Sequence, residues 1–167
     1  MFQRILVPID GSLASNRGLD EAIKLAAKQP VTLYLLHVVD DLVATAGMDG
    51  AMYAMYIGAT LGDDLLKALR DGGKRVLTEA EAKARKAGVK TQAILVETVG
   101  YGVADVILKQ AKKARADLIV MGTHGRRGVA RLVIGSDAEG VVRGTSVPVL
   151  LVRSPDKSRA RARRKDK

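Results

Sequence analysis

Five short runs of almost unbroken apolar residues punctuate the chain: "RILVPI" (4–9), "VTLYLLHVV" (31–39), "VKTQAILVETV" (89–99), "DLIVMG" (117–122) and "VPVLLV" (147–152). Between them the pattern changes to helical spacing. Leu19, Ile23 and Ala26 follow Ser12, and Val103, Val106, Ile107 and Ala111 mark one face of 102–115. Residues 64–87 and 137–143 complete the set of helical segments. A strand that is apolar on both faces must be covered on both faces. Strands of that kind alternating with helices predict an α/β fold, a single domain built on a five-stranded parallel sheet with helices on both sides.

The punctuation supports these boundaries. Asp10-Gly11-Ser12 ends the first strand in a turn, and Ser12 is a suitable N-cap for the helix that follows. Gln29-Pro30 stops that helix, and Gly88 stops the one before the third strand. Gly72-Gly73 reads as a weak point inside residues 64–87. Two segments fall outside the alternation. Residues 44–62 are rich in Gly, Ala, Met and Tyr, and Met48, Met52, Tyr53, Met55 and Tyr56 suit a short helix that covers the sheet edge or a partner better than a ligand lid. The last segment, 153–167, has no apolar periodicity and is expected to be a basic, disordered tail beyond a domain spanning 1–152.

At 167 residues the chain is long enough for one domain with a real core. The formal net charge is +10, yet the tail carries eight Lys or Arg against two Asp, so six of the ten positive charges lie there. The tail is a candidate for nucleic acid or an acidic partner through phosphate contacts, although it lacks aromatic residues for base stacking. The alternative is a solvated charge run. There is no cysteine, which excludes disulfides, thiolate metal sites and Cys nucleophiles. No apolar run is long enough to cross a bilayer and no signal-peptide pattern precedes the first strand, so the expectation is a cytoplasmic protein with no membrane partner.

"VMGTHGRRGVARLVIGSDAEG" (120–140) carries the chemistry. An apolar strand ends in a loop with Gly122 and Gly125, and Gly135-Ser136 opens a helix. Unpaired amides of such a loop and helix start can cradle an anion. Arg126 and Arg127 add positive charge. The competing reading is an ordinary strand-to-helix loop that needs glycine only for its turns. A P-loop is excluded because the loop's last glycine, Gly135, is followed by Ser136-Asp137 and not by a Lys-Ser/Thr pair. The dinucleotide fingerprint is excluded because neither Asp10-Gly11-Ser12 nor Gly100-Tyr101-Gly102 supplies three glycines. The two histidines, His37 and His124, have no metal-binding spacing, and Ser12, Ser136 and Asp10 form no recognisable triad. His37 is expected to be a strand-end residue hydrogen-bonded to backbone, and His124 a loop residue near phosphate.

The spacing of Gly122, Gly125, Gly135 and Ser136 matches G-x2-G-x9-G-[ST], and "ILVPIDGS", "LLHVVD", "ADLIVMGTHGRRG" and "SVPVLLV" occur in order. On these blocks the sequence resembles the ATP-binding members of the universal stress protein family over residues 1–152. The resemblance implies a Rossmann-like sheet of order 3-2-1-4-5, of the adenine nucleotide alpha hydrolase-like kind. It implies a homodimer through the strand at 147–152, where Pro148 confines pairing to Val149–Val152. It also implies ATP, or ADP or AMP, as ligand, with or without Mg2+. By position, Pro8 and Asp10 would lie near the nucleoside, Asp10 beside the ribose. Val38 would meet adenine through its backbone, and Met121 would line the same pocket. Gly122 would approach the ribose or α-phosphate, and Gly125, Gly135 and Ser136 would hold the phosphates; Arg126, read from its charge beside the loop, is the further phosphate-contact candidate. The chain departs from the pattern at Asp137 and Ala138, where relatives often have small, hydroxyl or aliphatic residues. A carboxylate at Asp137 repels phosphates unless Mg2+ or the arginines intervene. As a helix-start residue it would instead complement the dipole, worth about 0.3–1 kcal/mol. The expected function is a dimeric, nucleotide-responsive stress regulator rather than a dedicated enzyme, with at most slow ATP hydrolysis. The alternatives are an ATP-independent scaffold or chaperone-like protein, and a nucleic-acid binder acting through the tail.

Overall fold

A computed structural model describes residues 2–27, 29–40, 60–98, 101–123 and 134–153, with backbone only for 60–63. In chain order the elements are β1 (Arg4–Pro8), α1 (Leu13–Ala26), β2 (Thr32–Asp40), α2 (Thr60–Lys86), β3 (Lys90–Thr98), α3 (Val103–Ala114), β4 (Leu118–Gly122), α4 (Ser136–Gly144) and β5 (Val149–Val152). The strands form one sheet of order β3-β2-β1-β4-β5 with every neighbouring pair parallel. The expected fold class and strand order are therefore both observed.

The alternation of side chains along each strand divides the core in two. Ile5, Val7, Ile9, Leu33, Leu35, Leu118 and Val120 pack with Leu19 and Ala22 of α1 and Leu77, Ala80 and Ala84 of α2. Leu6, Leu36, Ile119 and Met121 pack with Ile107 and Ala111 of α3 and Ala138 and Val141 of α4. Each fully buried Leu or Ile contributes about 1.5–3 kcal/mol relative to exposure. β1 lies at the centre, and Ile5, Leu6 and Val7 are completely buried. That explains why its sequence shows no polar alternation.

Three sequence boundaries shift, each for a physical reason. α2 begins at Thr60 and runs unbroken through Gly72 and Gly73. Gly73 is demanded by packing: a Cβ there would sit 2.6 Å from His37 Cδ2 and 2.9 Å from Leu95 Cδ1. β5 begins at Val149, not at residue 147. The Val147 N–H is taken by Thr145 Oγ1 at 3.1 Å, and Pro148 has no N–H. The Pro148 carbonyl still accepts from Ile119 N–H at 3.0 Å. α4 starts at Ser136, one residue before the expected start. It is drawn close to α3, since a Cβ at Gly140 would lie 2.8 Å from Ala104 Cβ and one at Gly144 would lie 2.5 Å from Leu108 Cδ1.

Candidate functional site

The chain leaves β1 towards β2 on one side, while β4 pairs with β1 on the other. The loops after β1 and β4 therefore diverge at the carboxyl edge, the switch point where open α/β sheets hold ligands.

The loop after β1 is pinned at every step. The Ile9 N–H donates to Leu36 O at 2.8 Å. His37 Nδ1 lies 2.7 Å from Ile9 O. The Asp10 N–H points to Ser15 Oγ at 3.4 Å. The Asp10 carboxylate accepts from the Ser12 N–H at 2.9 Å, while Gly11 turns the chain at φ +81°. Ser12 then caps α1 as expected, accepting from the Ser15 N–H at 3.1 Å. Asp10 is thus half-buried and aimed by its own turn. Ser15, 5% exposed, is an organiser that sequence reading missed. Its signal was its place three residues after the cap, where side chain and backbone pair reciprocally.

Gly122 ends β4 against the start of α1. A Cβ on it would lie 2.7 Å from the Ala14 carbonyl carbon and 2.9 Å from the Ser15 nitrogen. Gly18, one turn further along α1, packs against the Met121–Gly122 backbone, where its own Cβ would lie 3.4 Å from Gly122 N. The following residue, Thr123, is buried and unites three segments. Its N–H donates to Val152 O at 3.0 Å, and its carbonyl accepts from the Gly135 N–H at 2.9 Å. The ends of the glycine loop are thereby joined at its base, and α4 starts beside the end of β4. Sequence reading missed Thr123 because these two hydrogen bonds are made by its backbone atoms.

Gly135 is the N-cap of α4 and supplies no side-chain hydrogen bond. The amides of Ser136, Asp137 and Ala138 therefore begin the helix without a capping side chain from Gly135. Ser136 and Asp137 are exposed. Asp137 and Glu139 lie in the first turn, where carboxylates complement the dipole. Glu139 also pairs with Arg143 at 2.8 Å.

Val38 and Met121 both pack on the α3/α4 side of the sheet. Pro8 alternates with Val7 and Ile9, which face α1 and α2. Pro8 thereby shares the side of Leu6, which pairs with Ile119 of β4 and packs in the same cluster as Met121. Pro8, Val38, Met121 and the start of α4 thus share one side of the carboxyl edge, with Asp10, Gly122 and Gly135-Ser136 at the switch point. Gly125, Arg126, Arg127 and His124 lie outside the described residues, as do residues 41–59 and the tail from 154 onwards. His37 faces the other side, towards α2, and is hydrogen-bonded to backbone as expected.

At the same edge, Glu97 near the end of β3 is gripped by Arg70 of α2, with Nε–Oε1 2.5 Å and Nη2–Oε2 2.7 Å. Those hydrogen bonds hold its carboxyl below the ordinary value; the charges of Arg70 and Lys74 act in the same sense and partial burial opposes them. Among the described residues no group of three His, Cys, Asp or Glu is arranged to hold a metal. No described helix is long and apolar enough to cross a membrane.

Comparison with known proteins agrees with this architecture. The universal stress protein family model matches residues 1–153. The universal stress protein YxiE of Bacillus subtilis is 33% identical over 154 residues, covering 92% of this chain and all of that protein. The crystal structure of a universal stress protein family member from Burkholderia pseudomallei is 34% identical, with a TM-score of 0.67 over 91% of this chain and 96% of that one. A universal stress protein from Archaeoglobus fulgidus in complex with dAMP has the same fold, at 24% identity and a TM-score of 0.60 over 90% of this chain and 97% of that one. On sequence and fold together, the chain belongs to the universal stress protein family.

Proposed function

We propose that this protein binds an adenine nucleotide, ATP in the first instance, at the carboxyl edge between β1 and β4, and acts as a dimeric nucleotide-responsive stress regulator. The observation that carries the reading is the hydrogen bond from the Gly135 N–H to Thr123 O, which sets the start of α4 beside the end of β4, where Gly122 packs against the first residues of α1 that follow the Asp10 turn. The site offers what such a ligand needs. Helix-start amides and the Ser136 hydroxyl suit phosphates. Pro8, Val38 and Met121 offer an apolar wall for the base. Asp10 offers an acceptor for ribose hydroxyls. Gly125, by the family spacing, and Arg126, by its charge beside the loop, would complete the phosphate contacts. The Archaeoglobus fulgidus relative held dAMP, which supports an adenine nucleotide as the ligand class.

A bound Mg2+ would arrive with the phosphates, because Mg2+ commonly takes few protein ligands. Asp137 fits either as its neighbour or as a first-turn residue of α4. The reading carries at most slow hydrolysis, and His37 Nδ1 is not its base, because that nitrogen donates to Ile9 O on the far side of the sheet from Val38. β5 is the last strand of the sheet, and its Leu150 is 38% exposed. An apolar edge of this kind is satisfied by antiparallel pairing with a second copy. The tail gives a second reading, nucleic-acid binding, on the strength of its charge alone. Calorimetric titration with Mg-ATP, on the wild type and on Ser136→Asp, tests the main one.

A further inference from the structure

His37 is 4% exposed and takes no direct part in the site proposed above. Its Nδ1 lies 2.7 Å from Ile9 O, and a carbonyl can only accept, so this nitrogen carries the proton. The other end of the same peptide unit, the Asp10 N–H, faces Ser15 Oγ at 3.4 Å. A trans peptide is planar, with its C=O and N–H pointing in opposite directions. The Ile9–Asp10 plane is therefore held from both sides, by His37 and by Ser15. Behind the imidazole stands α2. A Cβ at Gly73 would lie 2.6 Å from His37 Cδ2 and 3.1 Å from Nε2, so the ring has no room to retreat in that direction. An unbroken mechanical path runs from α2 through the ring to the peptide that aims the Asp10 carboxylate.

We propose that His37 is a positioning residue for ribose recognition, and that α2 sets its position through Gly73. The inference rests on Asp10 contacting the ribose, as in the functional reading above. It assigns α2 a control over the nucleotide site that no direct contact with ligand would supply.

The test compares affinity for ATP and for 2′-deoxyATP, measured by calorimetry, in the wild type, His37→Asn, His37→Leu and Gly73→Ala, with thermal melts to confirm folding. Asn places an amide nitrogen near the position of Nδ1, whereas Leu fills the space without a donor. The expected wild type prefers ATP. His37→Leu loses about tenfold in ATP affinity, the size of one charge-supporting hydrogen bond misplaced, and its preference over the deoxynucleotide falls towards unity. His37→Asn keeps the preference, and Gly73→Ala loses it because the new methyl displaces the ring. General loosening of the fold would weaken both nucleotides together and would leave the preference intact. A folded His37→Leu or Gly73→Ala chain with wild-type preference overturns the proposal. If His37→Leu does not fold, the contrast between His37→Asn and Gly73→Ala decides it in the same way. A wild type that binds neither nucleotide refutes the functional reading, whereas a discriminating wild type with unaffected variants refutes this inference alone.

Discussion

Gly122 and Ala14 are packed so closely that a single added methyl on Gly122 would lie 2.7 Å from the Ala14 carbonyl carbon and 2.8 Å from its Cβ. This contact brings the end of β4 against the start of α1. It brings the turn carrying Asp10, which leads into α1, close to Gly122 and Thr123 at the end of β4. Gly122 therefore serves the architecture of the site whatever it contributes to a ligand.

Gly122→Ala is expected to destabilise the protein by about 1–3 kcal/mol, the usual effect of forcing extra volume into a packed contact. Urea denaturation would show a lower midpoint with an unchanged slope. A variant as stable as the wild type would mean that α1 yields at no cost. Loss of nucleotide binding in a Gly122 variant is consequently weak evidence for a phosphate cradle.

The Arg70–Glu97 pair ties α2 to the end of β3 and predicts a pH dependence. Glu97 has a folded value lowered from 4.5, so its contribution is fully present above that value and is lost as pH falls through the lower folded value. Both side chains are 41% exposed, and solvent screening keeps the contribution below about 1 kcal/mol. Arg70→Met should lower stability at pH 7, and its deficit should shrink at pH 3. A deficit of equal size at both pH values would assign the loss to packing of the Arg70 stem.

β5 predicts the oligomeric state. The wild type should sediment as a dimer at micromolar concentration. Leu150→Lys, which puts a charge on the edge without touching the core, should sediment as a monomer. A wild type that is monomeric under those conditions would remove strand pairing from the account.

The tail predicts a separable property. Removal of residues 154–167 should leave the melting temperature unchanged, since the family match ends at residue 153. Any affinity for RNA should fall with salt in the full chain and vanish in the truncated one. RNA binding that survives truncation would place the contact on the α/β domain.

The order of elements could be read from the sequence because strands and helices carry different apolar periods, and β1 and β4 contain almost no polar residue to confuse the pattern. Gly72-Gly73 misled because helix propensity is a local quantity, while the choice of Gly73 is made by a ring on β2. The start of β5 was misplaced by two residues because Val147 looks like strand, whereas its N–H is claimed by Thr145. In the site, the Asp10 turn was legible from Asp-Gly-Ser, whose side-chain and φ requirements are local. Thr123 and Ser15 were not, because what they do depends on backbone groups brought near only by the fold. Gly122 could be seen as a glycine with a purpose, but the sequence could not show that α1 was one of its partners.

The most direct test of the nucleotide cradle is calorimetric titration with Mg-ATP of the wild type and of Ser136→Asp. Ser136 is exposed at the first position of α4. A carboxylate there complements the helix dipole, so stability should hold or rise by up to about 1 kcal/mol. The same charge would face the phosphates and repel them. The account predicts saturable binding by the wild type and at least tenfold weaker binding by an equally stable variant, a difference of about 1.4 kcal/mol. A folded wild type that gives no binding heat and no competition with a labelled nucleotide, or a variant that binds ATP as tightly, would contradict it.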